Sequence, residues 1–297
     1  MIENPKAPES QEAPKSEFVA KLERLWERGN FVCVGLDSDY DQISEEFRRS
    51  NKYDRQEVLF GFNKEIIDST HDLVCAFKPN IAFYEDYPEA ERALEKTVDY
   101  IHSKYPQIPV IGDIKRADIG NTNRGYVQMA FYRYQFDAVT VNPYFGKEAL
   151  APFLARKDKG IIVLVMTSNP GAGEFQDLFV NDRIELSSTR LYEYIAKKVS
   201  KEWNENGNVG IVVGATYPTE LAHVRKIVGD IPILIPGIGA QGGEVEATVT
   251  AGKDSRGWGM IINSSRGIIF ASKGDDFAEV ARKATESLRE EINKYRQ

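Results

Sequence analysis

Along the chain, short apolar runs rich in β-branched residues alternate with longer stretches of helical period. The runs are FVCVGLD (31–37), LVCAFKPNI (73–81), IPVIGDIK (108–115), AVTVNPY (138–144), GIIVLVMTS (160–168), VGIVVGAT (209–216), IPILIPGIG (231–239) and GMIINSSR (259–266). Each stays apolar on successive positions until its last residues, the pattern of a strand buried on both faces. Most are followed by an amphipathic stretch, such as PEAERALEKTVDYIHSKY, SSTRLYEYIAKKVSKEWNENG or PTELAHVRKIVGD. Repeated strand–helix units imply a parallel sheet. Eight of them within 297 residues predict an α/β protein with a (β/α)8 TIM barrel, with a doubly wound open sheet as the alternative. No linker divides residues 17–297, which read as one domain. Residues 1–16, rich in Pro, Glu and Lys, read as a disordered tail without the apolar core of a signal peptide.

A barrel makes a sharp demand: functional groups belong at the C-terminal strand ends, and phosphate after strands seven and eight. The polar residues fall there. The first run ends in Asp37 and the second holds Lys78 within FKPN. The third opens GDIKRADIGNT, with Asp113, Lys115, Asp118 and Thr122. The fifth ends in Ser168 of TSNPG, the seventh runs into PGIGAQGG with Gln241, and the eighth ends in Arg266 of SSRG. Asp113 and Lys115, two apart in a strand, share a face. Asp118 lies beyond the strand end. Charges in so apolar a setting are costly unless paired. D-x-K-x-x-D alone recurs by chance as a surface ion cluster; with Asp37 and Lys78 on the two preceding strand ends, the functional reading outweighs that one. Carboxylates around Lys115 favour its ammonium form. A Schiff-base lysine needs a neutral amine, so Lys115 reads as a proton donor. The backbone N–H groups of PGIGAQGG and the planar fork of Arg266 suit a phosphate.

Charge and composition narrow the field. The formal net charge is −7, which argues against a nucleic-acid partner but leaves room for one anionic small ligand. Cys33 and Cys75 lie inside apolar runs and read as free buried thiols, suiting a reducing cytoplasm. No run is long enough to span a membrane. His71, His102 and His223 belong to no motif; each falls in a predicted helix or its flank, helix-packed or solvated. HExxH, CxxC, GxSxG and a Walker loop are all missing from the sequence. Asn142 in VNPYFG stands at a strand end, without a chemical role assigned.

Taken together, GDIKRADIGNT, AFKPNIAFYE, VGLD, TSNPG, PGIGAQGG and SSRG resemble the orotidine 5′-phosphate decarboxylase family, in the longer bacterial-type branch marked by KPNIAFYE and VTVNPY. The resemblance runs from about residue 31 to 270. The D-x-K-x-x-D core is shared with sister barrels; its combination with Lys78, Ser168 and Gln241 is more specific. The resemblance implies conversion of orotidylate (OMP) to UMP and CO2 without cofactor or metal. Lys115 would protonate C6, and Asp113 would face the substrate carboxylate. Lys78 and Asp37 would hold the ribose and complete an alternating charge chain with Asp113 and Asp118. Asp118 and Thr122 would reach into the other subunit's site of a homodimer. Ser168 would touch the pyrimidine, and Gln241 and Arg266 the phosphate. The stretches PGAGEFQDLFVND and QGGEVEATVTAGKDSRGWG would serve as lids.

Three rivals remain at this level. Mg2+-dependent sister barrels, such as keto-gulonate phosphate decarboxylases, carry an acidic metal ligand at the second strand end, where this chain has Lys78, a cation that repels a metal. A class I aldolase conflicts with the pairing of Lys115. A non-catalytic nucleotide-binding barrel gains nothing from a buried Asp beside a substrate carboxylate.

Overall fold

The computed structural model describes residues 15–182, 187–238 and 245–297. Eight parallel strands form the barrel: β1 (Val32–Leu36), β2 (Val74–Pro79), β3 (Ile111–Arg116), β4 (Ala138–Val141), β5 (Gly160–Met166), β8 (Val209–Val213), β9 (Ile233–Pro236) and β10 (Met260–Ser264). They correspond one to one with the eight apolar runs. Their order is β2-β1-β10-β9-β8-β5-β4-β3. The remaining seam, between β2 and β3, is crossed by parallel bridges Phe77–Val110 and Asn80–Asp113 and by Phe77 N–H donating to the Pro109 carbonyl at 3.1 Å. The sheet is therefore a TIM barrel, and the open-sheet alternative falls.

The same sequence logic packs the strands. β1, β8 and β10 are buried at every residue, as a strand covered on both faces must be. Cys33 and Cys75 are free and buried within β1 and β2.

The N-terminal ends of the strands are locked by buried charge. Asp137, one residue before β4, accepts Lys21 Nζ at 2.8 Å, the Val110 N–H at 2.8 Å and His102 Nε2 at 2.9 Å. Arg225 donates to the carbonyls of Gly229, Ile231, Gly252 and Gly259. Across this end lies the helix Glu17–Glu27, whose Phe18 ring occupies the space a Cβ at Gly160 would need. Ser16, assigned by sequence to the tail, is its buried N-cap and accepts the Val19 N–H at 3.2 Å; residues 1–14 lie outside the described residues. This sealed end leaves the opposite mouth for chemistry.

Two local expectations change. SSTR, read as the head of a helix, is strand β7 (Ser187–Arg190), paired antiparallel with β6 (Phe179–Asp182). This hairpin, following the short helix Gly173–Gln176, sits within and beyond the first candidate lid. The second candidate lid is, from Val245 to Gly252, an ordinary barrel helix with Thr248 and Val249 buried. Among the described residues no helix is long and apolar enough to cross a membrane.

Candidate active site

Three consecutive strand ends carry the charges. β1 and β2 pair with Gly35 opposite Lys78, so Asp37 projects just beyond the level of Lys78. Lys78 is almost wholly buried, its side chain 4% exposed. Its Nζ lies 3.2 Å from Asp113 Oδ2 and 3.9 Å from Asp37 Oδ1. Lys115 Nζ lies 2.7 Å from Asp113 Oδ1, with its side chain 48% exposed. Asp37, Lys78, Asp113 and Lys115 thus form an alternating row of charge.

Pairing decides the electrostatics. Burial alone would push Lys78 toward its neutral form; the carboxylates of Asp113 and Asp37 outweigh it and hold the ammonium above its ordinary pKa. Burial would likewise raise Asp113, but Lys78 and Lys115, with the hydrogen bonds from Lys115 and Thr140, hold its carboxyl well below the usual range. Both groups stay charged in a setting that would otherwise neutralise them.

Asp113 and Lys115 do share a face, though not by regular alternation. Lys115 has φ +47°, and the β3–β4 register breaks between Gly112 and Arg116. This is a bulge, a device that re-aims a side chain. Thr140 of β4 holds it: its Oγ1 accepts the Lys115 N–H at 3.0 Å and donates to Asp113 Oδ1 at 2.8 Å. Sequence reasoning missed Thr140. The available signal was a lone hydroxyl inside the otherwise apolar AVTV. An ion pair between Arg116 and Glu85 further ties the third strand's end to the loop after the second.

Two adjoining cavities share Lys78, Asp113 and Pro236. One, of 340 Å³, is also lined by Lys115, Thr140, Leu164 and Ser168. The other, of 150 Å³, is also lined by Asp37, Gly237, Ser265 and Arg266. Together they make one cleft, apolar on the β5–β9 side and charged on the β1–β3 side. Close backbone approach shapes it: a Cβ at Gly214 would stand 2.8 Å from Ser168 Cβ, and one at Gly35 would overlap Ser265 Oγ at 1.9 Å. Arg266 is exposed, and its guanidinium makes no hydrogen bond or ion pair among the described residues. A larger, mostly apolar groove of 650 Å³ beside the cleft shares Leu164 and Thr167 with it but carries none of the charge row.

The structure therefore brings together Asp37, Lys78, Asp113, Lys115, Ser168 and Arg266. It does not bring Asp118 or Thr122 into the same cleft. Asp118 accepts the Ile119 N–H at 2.6 Å, and Asn123 clamps its backbone. Thr122 is exposed in the first turn of the helix Gly120–Gln128. Gln241 lies outside the described residues. The three histidines stay out of the cleft, and His102 is tied to Asp137 at the far end. Asn142 anchors the mouth, its Oδ1 accepting the Tyr144 N–H at 3.0 Å. Among the described residues no group of three or more His, Cys, Asp or Glu is placed to hold a metal ion.

Fold and site define a TIM barrel with a lysine–carboxylate row at its C-terminal mouth. The profile of the orotidine 5′-phosphate decarboxylase / HUMPS family matches residues 30–284, and the chain belongs to that family. It is 48% identical over 277 residues to an orotidine 5′-phosphate decarboxylase of Cellvibrio japonicus, covering 93% of this chain and 98% of the relative. It is 48% identical over 280 residues to that of Ralstonia nicotianae, covering 94% and 99%. Among solved structures, Leishmania donovani OMP decarboxylase superposes with a TM-score of 0.79 at 36% identity, covering 94% of this chain and 98% of that one.

Proposed function

We propose that this chain is an orotidine 5′-phosphate decarboxylase, a carboxy-lyase that converts OMP to UMP and CO2 in pyrimidine biosynthesis, directly and without cofactor or metal. The observation that carries this reading is the row Asp37–Lys78–Asp113–Lys115 gathered in one cleft. Breaking the C6–carboxylate bond releases CO2 and leaves the electron pair in the ring plane, where the ring carbonyls cannot delocalise it. A cation already fixed beside C6 lowers the energy of that charge without reorganising solvent. Lys115, held by Asp113 and half open to the cleft, suits that task. It then gives its proton to C6 and regains one from solvent.

Asp113, kept anionic by its lysines, faces the substrate carboxylate; the repulsion is relieved as CO2 departs. Lys78 and Asp37 take the ribose hydroxyls. Asp37 Oδ1, buried and accepting no hydrogen bond among the described residues, suits a hydroxyl donor. Ser168 contacts the pyrimidine ring, and Arg266 with Gln241 grips the phosphate. Contacts to the phosphate, far from C6, supply binding energy that holds the reacting end in place.

The active form is a cytoplasmic homodimer in which Asp118 and Thr122 complete the partner's site. Two features support this. Neither residue lines its own subunit's cleft, and the surface around them exposes Ile119, Tyr144 and Phe145, apolar groups suited to an interface. Ile119 directly precedes the helix Gly120–Gln128, and Tyr144 and Phe145 directly precede the helix Gly146–Leu154. The two helices are joined by Asn123 Nδ2 donating to the Ala149 carbonyl at 2.6 Å.

The test is the loss of orotidylate absorbance on adding purified protein, before and after exhaustive chelation. Equal turnover in both is expected. Turnover that vanishes with EDTA would move the chain to the Mg2+-dependent sister enzymes, and no turnover at all would reject the activity.

A further inference from the structure

Asp37 stands at the mouth with little to hold it. Its buried Oδ1 accepts no hydrogen bond among the described residues, and Lys78 Nζ is 3.9 Å from it, too far to fix its position. What is fixed is the backbone on either side. The Tyr84 hydroxyl donates to the Leu36 carbonyl at 2.8 Å, and Ser38 Oγ donates to Asn63 Oδ1 at 2.5 Å. Asn63 Nδ2 closes the circuit, donating to the Tyr84 hydroxyl and to Thr97 Oγ1, each at 3.0 Å. Thr97 Oγ1 in turn donates to the Ala93 carbonyl at 2.7 Å.

Ser38, Asn63, Tyr84 and Thr97 are all completely buried, and each hydroxyl and amide group in the circuit is engaged. Burial pushes the Tyr84 hydroxyl up to about 12, so it remains a donor at any working pH. The circuit joins the helix Arg55–Thr70, which carries Asn63, to the helix Pro88–Lys104, which carries Thr97. Tyr84 ends the turn Ile81–Phe83 that follows the end of β2 after Asn80. The same side chain therefore grips the end of β1 while standing six residues beyond Lys78 on the chain that leaves β2.

Stability alone gives little reason for such a circuit, because apolar side chains of the same shape fill such a space at nearly equal free energy. A fully satisfied polar network instead selects one geometry over near alternatives. We propose that Ser38, Asn63 and Tyr84 are positioning residues that set the carboxylate of Asp37 relative to Lys78. This is the structural use of the tyrosine in KPNIAFYE, a motif whose lysine alone enters the chemistry. The inference rests on the role given to Asp37 above.

The experiment is a double-mutant cycle of Tyr84→Phe and Asp37→Ala, reading kcat and KM for OMP together with the thermal midpoint. Tyr84→Phe removes one hydroxyl and leaves no hole. It should lower kcat/KM about tenfold in the wild-type background and less than about twofold once Asp37 is gone. Ser38→Ala should repeat the pattern, and it replaces Tyr84→Phe should that variant fail to fold. Equal losses in both backgrounds, or a lower melting temperature with unchanged kinetics, would overturn the clamp while leaving the decarboxylase reading intact. A harmless Asp37→Ala would overturn both the role of Asp37 and the clamp. A wild-type protein inactive on OMP would overturn the proposed function and this inference with it.

Discussion

Asp113 and Asp137 begin from the same cost, a carboxylate taken out of water, and meet it at opposite ends of the barrel. At the mouth, Asp113 is balanced by two lysines that both line the cleft, Lys78 and the half-exposed Lys115. At the sealed end, Asp137 spends all its capacity within the protein, on Lys21, His102 and the Val110 N–H, with Lys159 close by in the same shallow cavity. Burial opposes its charge, but His102 and Lys21 prevail and bring its carboxyl down to about 2. A folded-state value below the unfolded one means that the stabilisation is fully present above about pH 4 and is lost as the pH falls toward 2. Asp137→Asn should therefore lower stability by on the order of 2 kcal/mol at neutral pH. The gap from wild type, measured by urea unfolding, should narrow as the pH drops from 4 to 2. A gap independent of pH over that range would mean that the loss is one of packing and not of charge.

At the level of elements, the bulge in β3 determines where the Lys115 ammonium points. Its left-handed Lys115 was not legible in the sequence, because nothing about the lysine itself favours that conformation; the neighbouring strand imposes it through Thr140. The pairing of Asp113 with Lys115 was legible, since charges two apart in a buried strand have few other ways to be satisfied. The eight strands were legible for a similar reason: strands covered on both faces must be apolar throughout. The β6–β7 hairpin was not, because FVND and SSTR carry no strict alternation and SSTR abuts a real helix. Thr140→Val keeps the shape of the side chain and removes both hydrogen bonds, leaving the Lys115 N–H unpaired. It should cost about 1–3 kcal/mol in stability. It should also cut kcat by about tenfold or more while UMP binding, measured by calorimetry, stays near wild type. An unchanged kcat would separate the bulge from catalysis.

Across the whole molecule, the sealed and open ends divide the labour between stability and chemistry, as the barrel architecture allows. Of the nine polar candidates read from the sequence, six meet in one cleft, because a barrel gathers its strand ends at one mouth. Asp118 and Thr122 do not; under the proposed homodimer they would complete the partner's site, which a single chain does not disclose. If both serve the partner subunit, two inactive variants should complement each other. Mixing Lys115→Ala with Asp118→Ala under subunit exchange should make about half the dimers mixed, each with one intact site, and restore roughly a quarter of wild-type activity. No recovery despite exchange verified by mass would assign both residues to the same subunit's site.

The central claim is that the Lys115 ammonium, fixed by Asp113, stabilises the carbanion at C6 and protonates it. The most direct measurement is the single-turnover rate of OMP decarboxylation by Lys115→Ala, in protein whose fold is verified by circular dichroism. Loss of the Lys115 cation removes an interaction made chiefly in the transition state. The rate should therefore fall by at least about a thousandfold, even when OMP saturates the variant. A variant that decarboxylates OMP within a few-fold of wild type would contradict the account.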